Sequence, residues 1–195
     1  TPGSTWNPIR ARDLKTGKVG HYCELVSPGC AHCYASAFQP RFGLPKYAGE
    51  PQREERLADL EVFLDEKALD QPLTWRKPRK VFVCSMTDLF GVWVPDEWID
   101  RVFAVMALTP QHNYQVLTKR AERMACYWTD GNRNGRGEHT AMFVERAMRD
   151  FTQDIDRLDE CGGLGSEWPK NIWAGVSTED QQRADERIPH LLATP

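Results

Sequence analysis

Along most of the 195-residue chain, apolar residues fall into short runs separated by polar, Gly- and Pro-bearing stretches. The clearest run, Val81-Phe82-Val83-Cys84, follows the charged entry KPRK and does not alternate with polar positions. Such a run predicts a strand buried on both faces, as in a parallel sheet. Behind a Pro-Asp start, Trp98, Ile99, Val102, Phe103 and Met106 recur at helical spacing and predict a helix. NYQVLTKR predicts a second strand, with Lys119 and Arg120 just past its end, and AERMACYWTD the helix after it. NRNGRGEH reads as a polar loop, residues 138–157 as helix, and DECGGLGSEWPK as another loop. NIWAGVSTED then predicts a third strand and EDQQRADERIPHLLA its helix. Strand–helix alternation of this kind gives right-handed βαβ units and a parallel sheet.

The N-terminal third is less regular. Residues 1–35 read as an extended loop region, and a short helix from about Tyr34 to Phe42 follows before RFGLPKYAGEPQ breaks it. Leu57, Leu60, Phe63 and Leu64 predict one helix over residues 53–70. The strand that should open the sheet is weakly written: KVGHY is short and polar, and TWNPI is the alternative.

Parallel α/β sheets bind ligands at the carboxyl ends of their strands. Three polar groups stand there: Ser85-Met86-Thr87-Asp88, Thr118-Lys119-Arg120 and Ser177-Thr178-Glu179. The plainer reading of the last group is capping of the following helix by Ser177 or Thr178.

Composition narrows the class of protein. The length suits one domain over residues 1–195 with a sizeable core. A net charge of −3 gives no footprint for bulk nucleic-acid binding and leaves room only for a local basic surface. No stretch approaches the roughly 20 apolar residues that cross a bilayer, and no signal peptide opens the chain. These features predict a cytoplasmic protein with no membrane partner. Reduced thiols are then the better assumption for the six cysteines. Cys126 and Cys161 read as ordinary buried thiols.

Cys23, Cys30 and Cys33 stand apart, as C-x6-C-x2-C in the Gly/Pro-bearing loop of residues 20–35. Structural zinc takes paired ligands, and only Cys30 and Cys33 fit a pair, with His21, His32 or Cys84 left to complete the set. Three unliganded thiols in a poorly buried loop would invite oxidation. A [4Fe–4S] cluster explains the odd count, because three thiolates leave one iron open, and an open position is the mark of catalysis. Radical-SAM enzymes use such an iron to chelate S-adenosylmethionine and cleave its sulfonium. Their common spacing is C-x3-C-x2-C, from which this chain departs in the first interval.

TWNPIRARDLKTGKVGHYC, VSPGCAHCYA, VFVCSMTDLFG, QVLTKRAERM and NIWAGVSTEDQQRADERIPHLLATP occur in that order. Together they resemble a phage- and bacteria-associated family of unknown function, described as radical-SAM-like with a three-cysteine motif. The resemblance covers nearly the whole chain. It implies an α/β fold, a partial (β/α) barrel of radical-SAM type, with a [4Fe–4S] cluster and S-adenosylmethionine at its mouth. It also implies a separate reductant protein and a bacterial or phage-infected host cell. On this resemblance Cys23, Cys30 and Cys33 would ligate the cluster, and His32 or Tyr34 would pack beside the adenine. Ser85 and Asp88 would stand in for the Gly-Gly-Glu stretch that holds the methionine amino group. Lys119 would pair with the cofactor carboxylate, and Ser177 and Glu179 would lie near the ribose hydroxyls. With about four β/α units the sheet would end in an exposed edge, which predicts a chain truncated before its C-terminal strands.

Seven tryptophans are many for this length, and TWRKPRK sets one beside basic residues that could stack bases and contact phosphates. More often such residues are core anchors with solvated neighbours. The expectation is therefore a radical-SAM-type enzyme acting on an unknown substrate, a small molecule or a nucleic acid. The alternatives are a non-catalytic module whose zinc or cluster organises a nucleic-acid or protein surface, and a degenerate barrel acting through a partner protein.

Overall fold

The computed structural model describes residues 3–49, 52–129, 140–152 and 169–194. The chain opens with strand β1, Gly3–Trp6, so the opening strand belongs to the TWNPI segment and not to KVGHY. Trp6 explains the choice: its ring is almost wholly buried, and its indole N–H donates to the Ala68 carbonyl at 2.7 Å. β2 (Ile9–Asp13) and β3 (Val19–Gly20) form an antiparallel pair within what reads from sequence as loop. The turn between them is closed by Asp13, which accepts from the Lys15 and Thr16 amides.

After β4 (Glu24–Leu25) the cysteine segment makes one 3-10 turn over Pro28–His32, and α1 follows as predicted over Tyr34–Phe42. Gly43 ends α1 in the left-handed region at φ 77°, the conformation that favours glycine there. β5 (Ala48–Gly49) pairs in parallel with β4.

The single helix expected over residues 53–70 is in fact three elements. α2 covers Arg53–Ala58, β6 covers Leu60–Leu64, and α3 covers Glu66–Leu69. Two features override the helical spacing of the leucines. LEVFL carries a β-branched and an aromatic residue, and it pairs along its whole length with β2. Asp65 then starts α3 by accepting from the Ala68 amide. A short α4 (Gln71–Thr74) leads toward the main sheet.

That sheet is built from β1, β7 (Lys80–Val83), β8 (Asn113–Thr118) and β9 (Ile172–Val176), parallel throughout and adjacent in that order. Among the described residues no pairing joins β1 to β9, so the fold is an open, mixed α/β sheet without barrel closure. α5 (Asp96–Ala107), α6 (Ala121–Thr129), α7 (Thr140–Phe151) and α8 (Gln181–Leu192) complete the alternation read from the sequence. The expected loops at NRNGRGEH and DECGGLGSEWPK fall largely outside the described residues, as do Cys161 and Trp168.

Burial differs from the expectation for β7. Val81 and Val83 are buried and Phe82 is only partly so, and the same alternation holds for Tyr114 and Val116 on β8. Among the described residues only one face of the sheet carries the core. There Val81, Tyr114, Val116 and Ile172 belong to one cluster with Ile99, Val102, Phe103 and Met106 of α5, as the helical spacing predicted. Rings finish the packing, with Phe103 stacked near Tyr127 and edge-on to Trp128. Cys126 is exposed, contrary to its reading as a buried thiol.

Candidate functional site

A cleft of about 690 Å³, counting its open mouth, lies at the carboxyl ends of the parallel strands. Cys23, Cys30 and Cys33 line it together with Tyr34, Ser85, Asp88, Lys119 and Ser177. The cysteine loop is thus folded over the strand ends, at the mouth where the resemblance puts it. A fourth thiol, Cys84, shares the lining, together with the apolar Phe82, Met86 and Leu117.

Cys84 terminates β7 at φ 51°, a left-handed conformation that a non-glycine residue rarely adopts. Its amide still donates to the Trp6 carbonyl at 2.8 Å, and its carbonyl accepts from the Thr87 amide. The chain thereby turns sharply and brings Ser85–Asp88 back over the cleft. Asn7, just past β1, fixes this turn: its side-chain oxygen accepts from the Met86 amide at 2.9 Å and from Ser85 Oγ at 3.2 Å. Tyr34 donates to the Ser85 carbonyl at 2.8 Å, and Tyr47 donates to the Met86 carbonyl.

Asp88 is wholly engaged in structure. Oδ1 accepts from the Phe90 amide and Thr118 Oγ1, and Oδ2 from the Lys119 amide and Arg120. It therefore locks the turn after β7 to the end of β8. Arg120 continues the network to Glu24 at 3.2 Å, and Arg53 meets the same carboxylate at 2.6 and 3.0 Å. Glu24 is buried, and burial would raise its pKa, yet hydrogen bonds from Arg53 and Tyr22 hold it below the usual range.

The end of β9 contributes a second clamp. Lys119 Nζ donates to Ser177 Oγ at 3.1 Å and to Glu179 at 2.9 Å, and Arg187 reaches Glu179 at 3.0 Å. Glu179 also accepts from the Gly29 amide of the cysteine loop at 3.4 Å. Burial alone would raise its pKa, but hydrogen bonds from Ser27 and Lys119 and the charges of Lys119 and Arg187 hold it at about 2. A Cβ at Gly29 would stand 3.1 Å from the Glu179 side chain, so glycine allows this close approach. Asp180, not Ser177 or Thr178, caps α8, accepting from the Arg183 amide at 2.7 Å. Ser177 is consequently left to the cleft.

His32 is exposed and does not line the cleft, whereas Tyr34 does. Glu179 stands behind the lining as a clamp on the loop. Sequence reasoning missed Asn7, Tyr47 and Glu24, and gave Arg120 no role beyond its place at a strand end. Asn7 obeys the same strand-end rule as Ser85 and becomes visible once β1 is placed. Glu24 and Tyr47 carry no local signal, since their partners lie elsewhere in the chain.

The thiols themselves are weakly held. Cys23 Sγ donates to the Glu24 carbonyl at 3.8 Å, and Cys30 Sγ lies 3.7 Å from Ser27 Oγ. Burial pushes the Cys23 thiol up, Asp88 adds to this and Arg120 works against it; burial and Asp88 likewise raise Cys84. Both therefore rest as neutral thiols, and a metal centre binding there must displace protons. Among the described residues no three His, Cys, Asp or Glu side chains form a group that could hold a metal ion. No helix among them is long and apolar enough to cross a membrane.

Comparison with known proteins places this arrangement in a family. The model of a family described as protein of unknown function, DUF5131, matches residues 4–195, covering every residue of the cleft. No curated protein and no solved structure gives a match. The chain belongs to the DUF5131 family.

Proposed function

We propose that the chain is a radical-SAM-type enzyme whose cleft takes a [4Fe–4S] cluster and S-adenosylmethionine. The carrying observation is that three loop cysteines, 52–62 residues before Ser85 in sequence and farther still from Lys119 and Ser177, line one cleft with all three. Several features of the cleft suit the group. Each cysteine of a cubane cluster takes its own iron, so the thiolates need to surround a space and not converge on one ion. The neighbouring Phe82, Met86 and Leu117 are apolar, as a cluster protected from water requires.

Cys23, Cys30 and Cys33 would hold the cluster, which when bound supplies the electron that cleaves the cofactor sulfonium. The rest is the work of this chain's own groups. Lys119 offers a cation at the rim, oriented by Ser177 and Glu179, where it can meet a carboxylate. Tyr34 is half-exposed at the mouth, with its hydroxyl anchored to the Ser85 carbonyl, and its ring can cover a planar group. Asp88 and Arg120 keep the two strand ends in register beneath. Glu179 draws the cysteine loop down onto the sheet, which narrows access of water.

A second reading has one observation in its favour. Cys84 brings a fourth thiol to the same cleft, and four thiolates suit a closed, non-catalytic centre. Anaerobic reconstitution with iron and sulfide, reduction, and assay for 5′-deoxyadenosine distinguishes the two. Cofactor cleavage that is lost in Cys30→Ala supports the enzyme. Tightly bound zinc, with no S-adenosylmethionine bound, supports the module.

A further inference from the structure

Two surfaces continue from the cleft, and they differ in chemistry. The first is a groove of about 1310 Å³, counting its open mouth, between α6, α8 and the segment after β4. It shares Lys119 and Arg120 with the cleft. Arg53, Arg123, Arg183 and Arg187 add to them, against Glu122 and Glu186. On a chain of net charge −3 this is a marked local excess. The carboxylates that pair with several of these cations sit behind them. Glu24 keeps 1% of its side-chain exposure against 29% for its partner Arg53, and Asp88 8% against 12% for its partner Arg120. Arg53, Lys119, Arg120 and Arg187 therefore line the groove while their partners Glu24, Asp88 and Glu179 do not; Arg183 pairs with Glu186 within it. Arg183 Nε is buried with no hydrogen-bond partner among the described residues.

The second surface is the face of the main sheet that the described residues leave open. Parallel sheets are ordinarily covered on both faces. Here Thr5, Phe82, Gln115 and Trp173 stand side by side in register across β1, β7, β8 and β9, on the face opposite the core. Leu117 and Gly175 form the next row toward the cleft. Trp173 is 52% exposed and Leu117 43%, and Phe82 and Leu117 also line the cleft. Among the described residues the Gln115 side-chain amide makes no hydrogen bond. An exposed indole beside an unengaged amide suits a planar heterocycle, stacked by the ring and hydrogen-bonded at its edge. Glycine at 175 keeps the row open beside Leu117, whose methyl would lie 3.3 Å from an added Cβ.

We propose that the substrate is a single-stranded nucleic acid, with its phosphates in the arginine groove and one base on the open sheet face beside the cysteines. The two surfaces meet at the cleft, as they must if one nucleotide is to pass its base across the rim while its backbone stays outside. Enzymes that act on a base take it out of the stack in this way. Calling this strand the substrate rests on the function proposed above, but binding itself does not. Phosphate contacts supply the salt-dependent part of the affinity, and the stacked base a part that salt leaves alone.

The test is fluorescence anisotropy with labelled oligo-dT and oligo-U of about a dozen nucleotides, a length within single-strand site sizes. The full chain is used both as purified under reducing conditions and after anaerobic reconstitution. Wild type is expected to bind, with affinity falling linearly on a log–log plot against salt. Arg183→Glu should weaken binding about tenfold at low salt and flatten that slope, while Arg183→Lys retains it. Trp173→Ala should weaken binding about tenfold at every salt concentration. Both variants lie on the surface, and matched circular-dichroism melts check their folding. Absence of binding, or binding that neither change affects, overturns the proposal. So does a dimer in sedimentation that Trp173→Ala abolishes, since the sheet face would then be an interface between copies. A chain that binds the oligonucleotide yet takes up no iron keeps this inference and removes the enzyme reading; the reverse result does the opposite.

Discussion

Asp88 and Glu179 show how much of the site is held by charges the protein itself has already satisfied. Asp88 has an acceptor's full set of partners, so its work is to join two strand ends. Glu179 has a depressed pKa, so its contribution is full above about pH 4.3 and is lost only as pH falls toward 2. Glu179→Gln should cost about 2 kcal/mol in a urea titration at pH 7. It should also speed labelling of Cys30 and Cys33 by a thiol-reactive dye, because the loop loses its anchor. His21 shifts the opposite way in its consequence. Burial, with Arg10 nearby, lowers its pKa to about 4, so folding favours the neutral ring. Stability from this group is present above about pH 6.5 and declines as pH falls toward 4. Wild type should lose about 2 kcal/mol more than His21→Gln between pH 7 and pH 5, read from urea midpoints. Ser85, Lys119 and Ser177 were legible from sequence because polar residues after apolar runs mark strand ends. Glu24 and Tyr47 were not, since a hydrogen bond across the fold leaves no trace in local pattern.

Among the elements, those with an unambiguous period were read correctly and those whose period was contested were not. α5 carries Ile99, Val102, Phe103 and Met106 into the core, and its Phe103 meets two aromatic rings of α6. Phe103→Ala should therefore lower stability by about 3–5 kcal/mol, measured by denaturant unfolding. LEVFL was misread because Leu60, Phe63 and Leu64 fit a helix as well as a strand over so short a run. Pairing with β2, which no local signal announces, decided it. The hairpin of β2 and β3 was missed for a related reason: β3, at two residues, is too short to show a period. The cysteine loop is an element in its own right, pinned by Glu179 against Gly29. Gly29→Val should unseat it, lowering the thermal midpoint modestly and raising thiol reactivity as Glu179→Gln does.

At the scale of the whole molecule, the four parallel strands are the frame that turns scattered polar residues into one cleft. The alternation of strands and helices was enough to predict that frame and to place its functional end. It could not show that the described residues cover only one face of the sheet, because a run such as Val81–Cys84 reads the same whether Phe82 faces a core or a cleft. Cys84 stood in the sequence only as one of three candidates to complete a metal site, beside His21 and His32, and the fold brings it to the cleft of the loop cysteines. The frame makes the cysteine loop the centre of the account, and the content of that loop is directly measurable. The deciding experiment is iron and acid-labile sulfide analysis of the anaerobically reconstituted chain beside Cys30→Ala. The account predicts about four irons and four sulfides per chain in wild type, a brown protein with thiolate-to-iron absorption, and their loss in the variant. A wild-type chain that takes up neither iron nor sulfide, or a Cys30→Ala chain that loads as well as wild type, would contradict it.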